Sequence, residues 1–223
     1  MSRWRELRAL TWLDLTIGTR TLAFAAALGA HAALLGAFVV LWSGGVPLLP
    51  GTNLYEQLRL IDGMFLLAVL PWVASRCGGD ERGNQLVMLS ALAATPPSCI
   101  LLARFAGRAI VGLVVALAGL PLMVVAQQIS AVPAPRVLFD TVPLVALAVL
   151  ASAASLFWSV QSRSVILAWA AATASTVFVV FITKRALPEN AALGALVVLA
   201  ALAAWSSAAR ANTSLRYLSE QER

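Results

Sequence analysis

Charged residues are scarce in this chain. Only 12% of its 223 residues are Asp, Glu, Lys or Arg, whereas 61% are hydrophobic. Soluble proteins carry about 25% charged residues, so this composition cannot cover a water-exposed surface. It excludes a soluble enzyme, a nucleic-acid-binding domain and a receptor with a large ectodomain, and we expect no nucleic-acid partner. The sequence therefore predicts an integral membrane protein.

Cysteine and histidine are rarer still. Cys77 and Cys99 are the two cysteines; they are too few and too far apart for a metal site, and we interpret them as unpaired thiols. His31 is the single histidine and lies within an apolar run. No acidic residue lies one helical turn from it, which favours a buried, hydrogen-bonded histidine over a proton relay. We expect no metal or cofactor on this chain.

Six apolar stretches are long enough to cross a bilayer, which takes about 20 residues each. We predict spans at about residues 21–42, 54–75, 104–127, 137–160, 165–183 and 191–209. Residues 1–20 form a polar lead in which Trp4 and Trp12 suit the headgroup region. The lead is predicted to be an interfacial helix; the alternative is a cytoplasmic extension of the first span. The predicted fold is thus an all-α polytopic membrane protein, a single transmembrane domain over residues 1–223.

The distribution of basic residues predicts the orientation. With the N-terminus inside, twelve of the sixteen Lys and Arg residues fall in cytoplasmic segments, and the outer side holds Arg59, Arg136, Lys184 and Arg185. This excess follows the positive-inside rule. We expect a multi-pass protein of the inner (cytoplasmic) membrane with both termini in the cytoplasm.

The connection between the second and third spans, residues 76–103, is the one inner segment with room for structure. Asp80 and Glu81 stand where a helix would begin, which suits the helix dipole, and Thr95-Pro96-Pro97 would end it. Leu86 and Leu89 recur at helical spacing between these limits. We predict a short cytoplasmic helix over about residues 81–94; the alternative is an irregular loop resting on the bilayer.

Several segments in order along the chain resemble the type-2 ABC transporter permeases, the six-span membrane subunits of ABC exporters. They are Glu81-Arg82-Gly83 with a Leu-rich stretch and Thr95-Pro96, then Ile100–Phe105, Leu120–Met123, Ala154–Val160 and Arg163–Ala172. The chain departs from the family pattern at Asn84, where the family usually has Thr. It also has about four more residues between Gly83 and Thr95 than the common spacing, close to one helical turn.

The resemblance implies the membrane half of an ATP-driven exporter. Such permeases form dimers, with a second copy or a homologous permease, and each unit sits on a cytoplasmic ATPase subunit. This chain has no G-x-x-x-x-G-K-[ST] motif, so ATP and Mg are expected on the partner chain. By the same resemblance, the ATPase-coupling residues would be Glu81, Arg82, Gly83, Leu86, Leu89, Thr95 and Pro96.

Three ionisable residues stand near the start of the second span: Glu56, Arg59 and Asp62. Their spacing puts them on one broad side of a helix, close enough for mutual pairing. Ionisable residues within spans tend to face the protein interior or a water path, so one interpretation is a polar lining at the outer end of an export path. The other is that all three lie at the headgroup level, with the Arg59 side chain extended toward water.

Two other functions stay open. One is a haem-exporter-like permease subunit of a cytochrome-assembly complex, which would differ in its partners. The other is an intramembrane enzyme, but a serine protease would need a His close to an activated Ser, and no G-x-S-x-G motif is present. We therefore expect a non-catalytic transport subunit. Lipids, lipid-linked saccharides, hydrophobic drugs, peptides and ions all remain open as substrates.

Overall fold

A computed structural model describes residues 3–45, 51–76, 97–162 and 164–186, together with Ala203 and Ser206. All regular structure in these ranges is helical. The helices are α1 (Arg3–Thr19), α2 (Leu22–Ser43), α3 (Leu54–Arg76), α4 (Pro97–Leu117), α5 (Leu120–Ile129), α6 (Ala134–Gln161) and α7 (Val165–Ala186).

Five helical segments are long and apolar enough to cross a membrane: Leu22–Ser43, Leu54–Ser75, Ser98–Ile129, Ala134–Ser159 and Val165–Thr183. At about 1.5 Å per residue, the shortest of them, with 19 residues, is about 28 Å long and the others are about 33 Å or more, which matches a hydrocarbon core of about 30 Å. The all-helical character predicted from the sequence is confirmed, and the chain fits a multi-pass membrane protein. The complete set of six spans and the interfacial position of residues 1–20 remain predictions. The sixth span, 191–209, lies almost wholly outside the described residues.

The third span differs from its predicted limits. It begins at Pro97, whereas the sequence pattern started it at residue 104, with Arg104 as its boundary. Proline suits the first helical position because its missing N–H has no intrahelical acceptor there. Pro97, which the sequence pattern placed at the end of a preceding helix, is therefore the first residue of α4.

The third span is also broken between α4 and α5. The N–H of Ala118 is shared between the carbonyls of Val114 and Val115, at 3.1 and 3.3 Å. Pro121, in the first turn of α5, has no N–H for the carbonyl of Leu117. The helix therefore stops at Leu117 and restarts at Leu120, with Gly119 between them.

Helices α3 and α6 run parallel and in register. Tyr55 donates its hydroxyl to Asp140 near the start of both helices (2.8 Å), and Ser155 donates its hydroxyl to the Pro71 carbonyl near their far ends (3.0 Å). The two contacts have almost the same sequence offset, which places both N-termini at one end of the bundle.

Small residues on α6 allow close packing at the centre of the bundle. A Cβ on Gly112 of α4 would lie 3.5 Å from Ser152 Oγ and 3.6 Å from Ala148 Cβ. The main core cluster comprises Ala27, Leu66, Leu70, Val73, Val111, Val115, Ala116, Leu144, Leu147, Ala148 and Ala151. The N-terminal helix α1 packs mainly against α4.

Candidate functional site: a buried histidine–aspartate pair

His31 and Asp62 meet at the centre of the bundle. Nε2 of His31 lies 2.5 Å from Oδ1 of Asp62, and both side chains are fully buried. The other ring nitrogen, Nδ1, lies 3.1 Å from the backbone carbonyl oxygen of Val115. Three helices, α2, α3 and α4, thus each contribute one group to a continuous polar contact beside the main apolar cluster.

Local features of each helix explain why these groups meet. His31 stands near the middle of α2, so it lies deep in the apolar layer. Val115 stands in the last turn of α4, and its carbonyl accepts from the Ala118 N–H at 3.3 Å. A carbonyl oxygen has two lone pairs, so it can also accept from the imidazole.

The surroundings of the imidazole hold it in one orientation. The Phe65 ring stacks on it, with centroids 4.9 Å apart and an interplanar angle of 13°. Gly119 lies against the edge of the ring: a Cβ at this position would be 3.2 Å from both Cε1 and Nε2 of His31. The same Cβ would be 3.1 Å from Cδ1 of Leu35. A side chain at position 119 would press on the ring.

The hydrogen-bond pattern determines where the protons lie. A carbonyl oxygen only accepts, so Nδ1 of His31 must carry a proton and donate it to Val115. The short contact between Nε2 and Oδ1 of Asp62 then contains one proton, because two lone pairs facing each other at this distance would repel. Whether this proton lies on the ring or on the carboxyl group, the pair as a whole is neutral.

This arrangement leaves neither nitrogen of His31 available to activate a nucleophile, since both are engaged in hydrogen bonds. Within the described residues there is also no group of three or more His, Cys, Asp or Glu side chains that could hold a metal ion. The chemistry that the pair can support is holding and moving a proton.

The three ionisable residues predicted as a polar lining do not converge on one point. Asp62 turns inward to His31, while Arg59 and Glu56 contact α6 at the end of the bundle where α3 and α6 begin. Arg59 donates to Oδ1 of Asp140 at 2.6 Å, and Arg136 lies 3.5 Å from Glu56 and 3.9 Å from Asp140. Arg59 and Arg136 are both about half exposed, so this cluster lies at the surface and Asp62 does not belong to it.

Asp140 and Arg136 were missed by the sequence analysis. Their spacing of four residues near the start of an apolar run was a signal for a helical ion pair. Asp140 in particular connects two helices, because it accepts from both Tyr55 and Arg59. Nothing in the sequence shows that it faces α3 rather than lipid.

A second polar contact lies between α1, α4 and α6. Arg108 of α4 is fully buried, and its Nη1 donates to Ser159 of α6 at 3.3 Å. One residue earlier, Gly107 lies directly against Asp14 of α1: a Cβ there would be 2.5 Å from Oδ2 of Asp14. The absence of a side chain at position 107 is therefore what allows α1 to approach α4.

The predicted ATPase-coupling residues lie outside the described part of the chain. This holds for Glu81, Arg82, Gly83, Leu86, Leu89, Thr95 and Pro96, and for the predicted helix over residues 81–94 as a whole. The described structure resumes at Pro97 with α4.

Comparison with protein-family models, with curated proteins and with solved structures finds no match for this chain.

Proposed function

We propose that this chain is the membrane permease subunit of an ATP-driven ABC exporter. In this proposal a separate ATPase subunit docks on the cytoplasmic segment over residues 81–95, and two permease units form the transport path. The proposal is supported by the order along the chain of the segments that resemble type-2 ABC permeases. Ile100–Phe105 lies in the first turns of α4, Leu120–Met123 begins α5 after the break, and Ala154–Val160 closes α6.

The packing of α1 and α4 suits a subunit that is driven from one side of the membrane. Asp14 of α1 rests on Gly107, and Arg108 extends the polar contact to Ser159 of α6. The segment over residues 77–96 leads directly into α4, which begins at Pro97. A partner that pushes on this segment would move α4 and, through these contacts, α1 and α6. The proposal needs such a mechanical link.

The geometry of His31 weighs against the enzymatic alternative. A serine hydrolase needs a histidine nitrogen available to the nucleophile, and both nitrogens of His31 are engaged with Asp62 and Val115. A haem-exporter-like subunit would share the ABC architecture and differ in its partners. The partners that co-purify with the chain therefore distinguish the two transport functions.

Co-purification from the native membrane tests the proposal. The tagged full chain is expected to retain an ATPase subunit, and substitution of Glu81, Leu86 and Leu89 by Ala is expected to release it and abolish transport-linked nucleotide hydrolysis. Gln128→Ala is the matched control, because Gln128 is an exposed polar residue at the opposite end of the bundle. A complex that survives the triple substitution with unchanged hydrolysis would exclude docking at this segment, and recovery of cytochrome-assembly proteins would favour haem handling.

A further inference from the structure

We infer that His31 and Asp62 form a proton-binding site inside the helix bundle, with Oδ2 of Asp62 as the atom that takes up an additional proton. The ligand is a proton delivered by water. The inference does not depend on the proposed export function, since it concerns contacts within this chain alone.

In the structure, where both side chains are buried (the closed arrangement), the pair holds its one shared proton. Loss of that proton would leave a net negative charge among buried apolar side chains, and gain of a second would leave a net positive charge. Both are costly in a medium of low polarity. The neutral pair is therefore the stable form while the site is sealed from water.

Asp62 has one acceptor that the closed arrangement does not use. Its Oδ2 is buried and has no hydrogen-bond partner among the described residues, although Oδ1 is bound to His31. Buried carboxylate oxygens are normally satisfied. An unsatisfied oxygen next to a short, proton-sharing contact is the atom to which a second proton or a water molecule would go.

The break in the third span lies directly against the pair. Gly119 lies against His31, and α5 beyond it is a ten-residue helix that is not continuous with α4. Movement of α5 would uncover the imidazole without unfolding α4. Hydronium could then donate a proton to Oδ2 of the Asp62 carboxylate, giving a carboxylic acid beside an imidazolium and leaving water. Closing would return that proton to water, because the pair would otherwise be buried with a positive charge.

Few other charges lie near enough to compensate for that positive charge. Helices α2 and α5 carry no other titratable residue. On α3, Arg59 lies one turn from Asp62 but donates to Asp140 of α6, and on α4, Arg108 lies two turns from Val115 and donates to Ser159. Both are cations, so they repel the additional proton. The protonated pair is therefore stable only while water reaches it.

The chain's single histidine makes the test direct. The full chain, labelled with ¹⁵N-histidine and reconstituted in phosphatidylcholine vesicles, gives one Nδ1 and one Nε2 resonance. We expect Nδ1 to stay protonated throughout, and Nε2 to move from a shared-proton to a fully protonated position as the pH is lowered. In Asp62→Asn the shared-proton position should be absent at every pH, because no carboxylate is there to share the proton. Glu56→Gln, which changes an acid of the α3–α6 surface cluster, should preserve the shared-proton position and the transition from it.

Two results would overturn the inference. An Nε2 resonance of the unmodified chain that stays constant from alkaline to acidic pH would show a purely structural pair. A shared-proton position that is still present in Asp62→Asn would show that Asp62 is not the group that holds the proton. The role of the α4–α5 break is tested separately: Gly119→Ala should move the midpoint of the transition, and Gly63→Ala, whose added Cβ would contact nothing, should leave it in place.

Discussion

At the scale of single residues, two polar groups in the apolar core depend on each other. His31 and Asp62 are both fully buried, and either one alone would be an unpaired ionisable group in a medium of low polarity. Removing one partner of a buried pair is far more destabilising than replacing both by apolar residues of similar size. Burial and pairing therefore have to be considered together.

This dependence gives a prediction that a double-mutant cycle can check. His31→Leu leaves Asp62 buried without its partner and should lower the free energy of unfolding by about 3 kcal/mol. The double variant His31→Leu/Asp62→Val should recover most of this loss. Denaturant unfolding of the purified chain in mixed micelles measures these two variants and the second single variant, Asp62→Val. If the two single losses simply add in the double variant, the pair contributes no coupling energy.

Glycine 119 gives a second prediction at the same scale. Its backbone is in the ordinary right-handed region, with φ −75°, so Gly119→Ala causes no backbone strain. The new Cβ would instead press on His31 and Leu35 at 3.1–3.2 Å. We expect a loss of about 1 kcal/mol in unfolding free energy, typical of overpacking.

Gly63→Ala is the matched control for that substitution. It stands in α3 next to Asp62, and a Cβ there would have nothing within 4 Å. Alanine is the better helix former, so this variant should be neutral or more stable. Equal losses of unfolding free energy in both variants would show that the contact with His31 is not the cause of the loss in Gly119→Ala.

At the scale of helices, two glycines of α4 differ in what they contact. A Cβ at Gly107 would collide with Asp14 of α1, whereas one at Gly112 would make ordinary contacts at 3.5 Å or more with α6. Gly107 lies against the N-terminal helix and Gly112 against the core. Only the first position needs the complete absence of a side chain.

We therefore expect Gly107→Ala to detach α1 from α4, since Cβ and Cγ of Asp14 also lie within 3.2 Å of the added carbon and rotation of the carboxylate alone cannot relieve the contact. Hydrogen exchange of the α1 amides should become faster than in the unmodified chain. Gly112→Ala, five residues further along α4 and facing α6 instead of α1, should leave that exchange unchanged. Equal α1 protection in both variants would mean that the contact at Gly107 does not hold the helix.

At the scale of the whole molecule, the topology remains to be measured. The distribution of basic residues predicts both termini in the cytoplasm, with the α5–α6 turn outside and the α6–α7 turn inside. The α5–α6 turn is short and includes Ala131, which is exposed and has φ 52°. Ser162 lies in the α6–α7 turn.

Thiol labelling of intact cells tests this topology. In a background with Cys77 and Cys99 replaced by Ser, Ala131→Cys should react with a membrane-impermeant maleimide added outside. Ser162→Cys should react only after permeabilisation. The reverse pattern would invert the orientation and would place the segment over residues 81–94 on the outer side, where no ATPase could reach it.

The sequence by itself determined the class of structure. A chain with so few charges has to bury its backbone hydrogen bonds within helices inside lipid. The apolar runs locate four of the spans to within three residues at each end, whereas the third span begins seven residues before its predicted start. The main differences between the predicted spans and the observed helices occur at prolines and glycines, where a residue that can end one helix can also begin another. Pro97, which the sequence pattern used to end one helix, is the first residue of α4, and the break at Gly119 depends on Pro121 and on packing against α2.

Only the tertiary structure decided which polar residues meet. The sequence grouped Glu56, Arg59 and Asp62 because they share one side of a helix, but helix spacing says nothing about the neighbouring helix that each faces. Asp62 pairs with His31, 31 positions away, and Arg59 with Asp140, 81 positions away. These contacts depend on the rotation and register of packed helices. In an apolar core, that packing is set by the shapes of many side chains together, which no local pattern records.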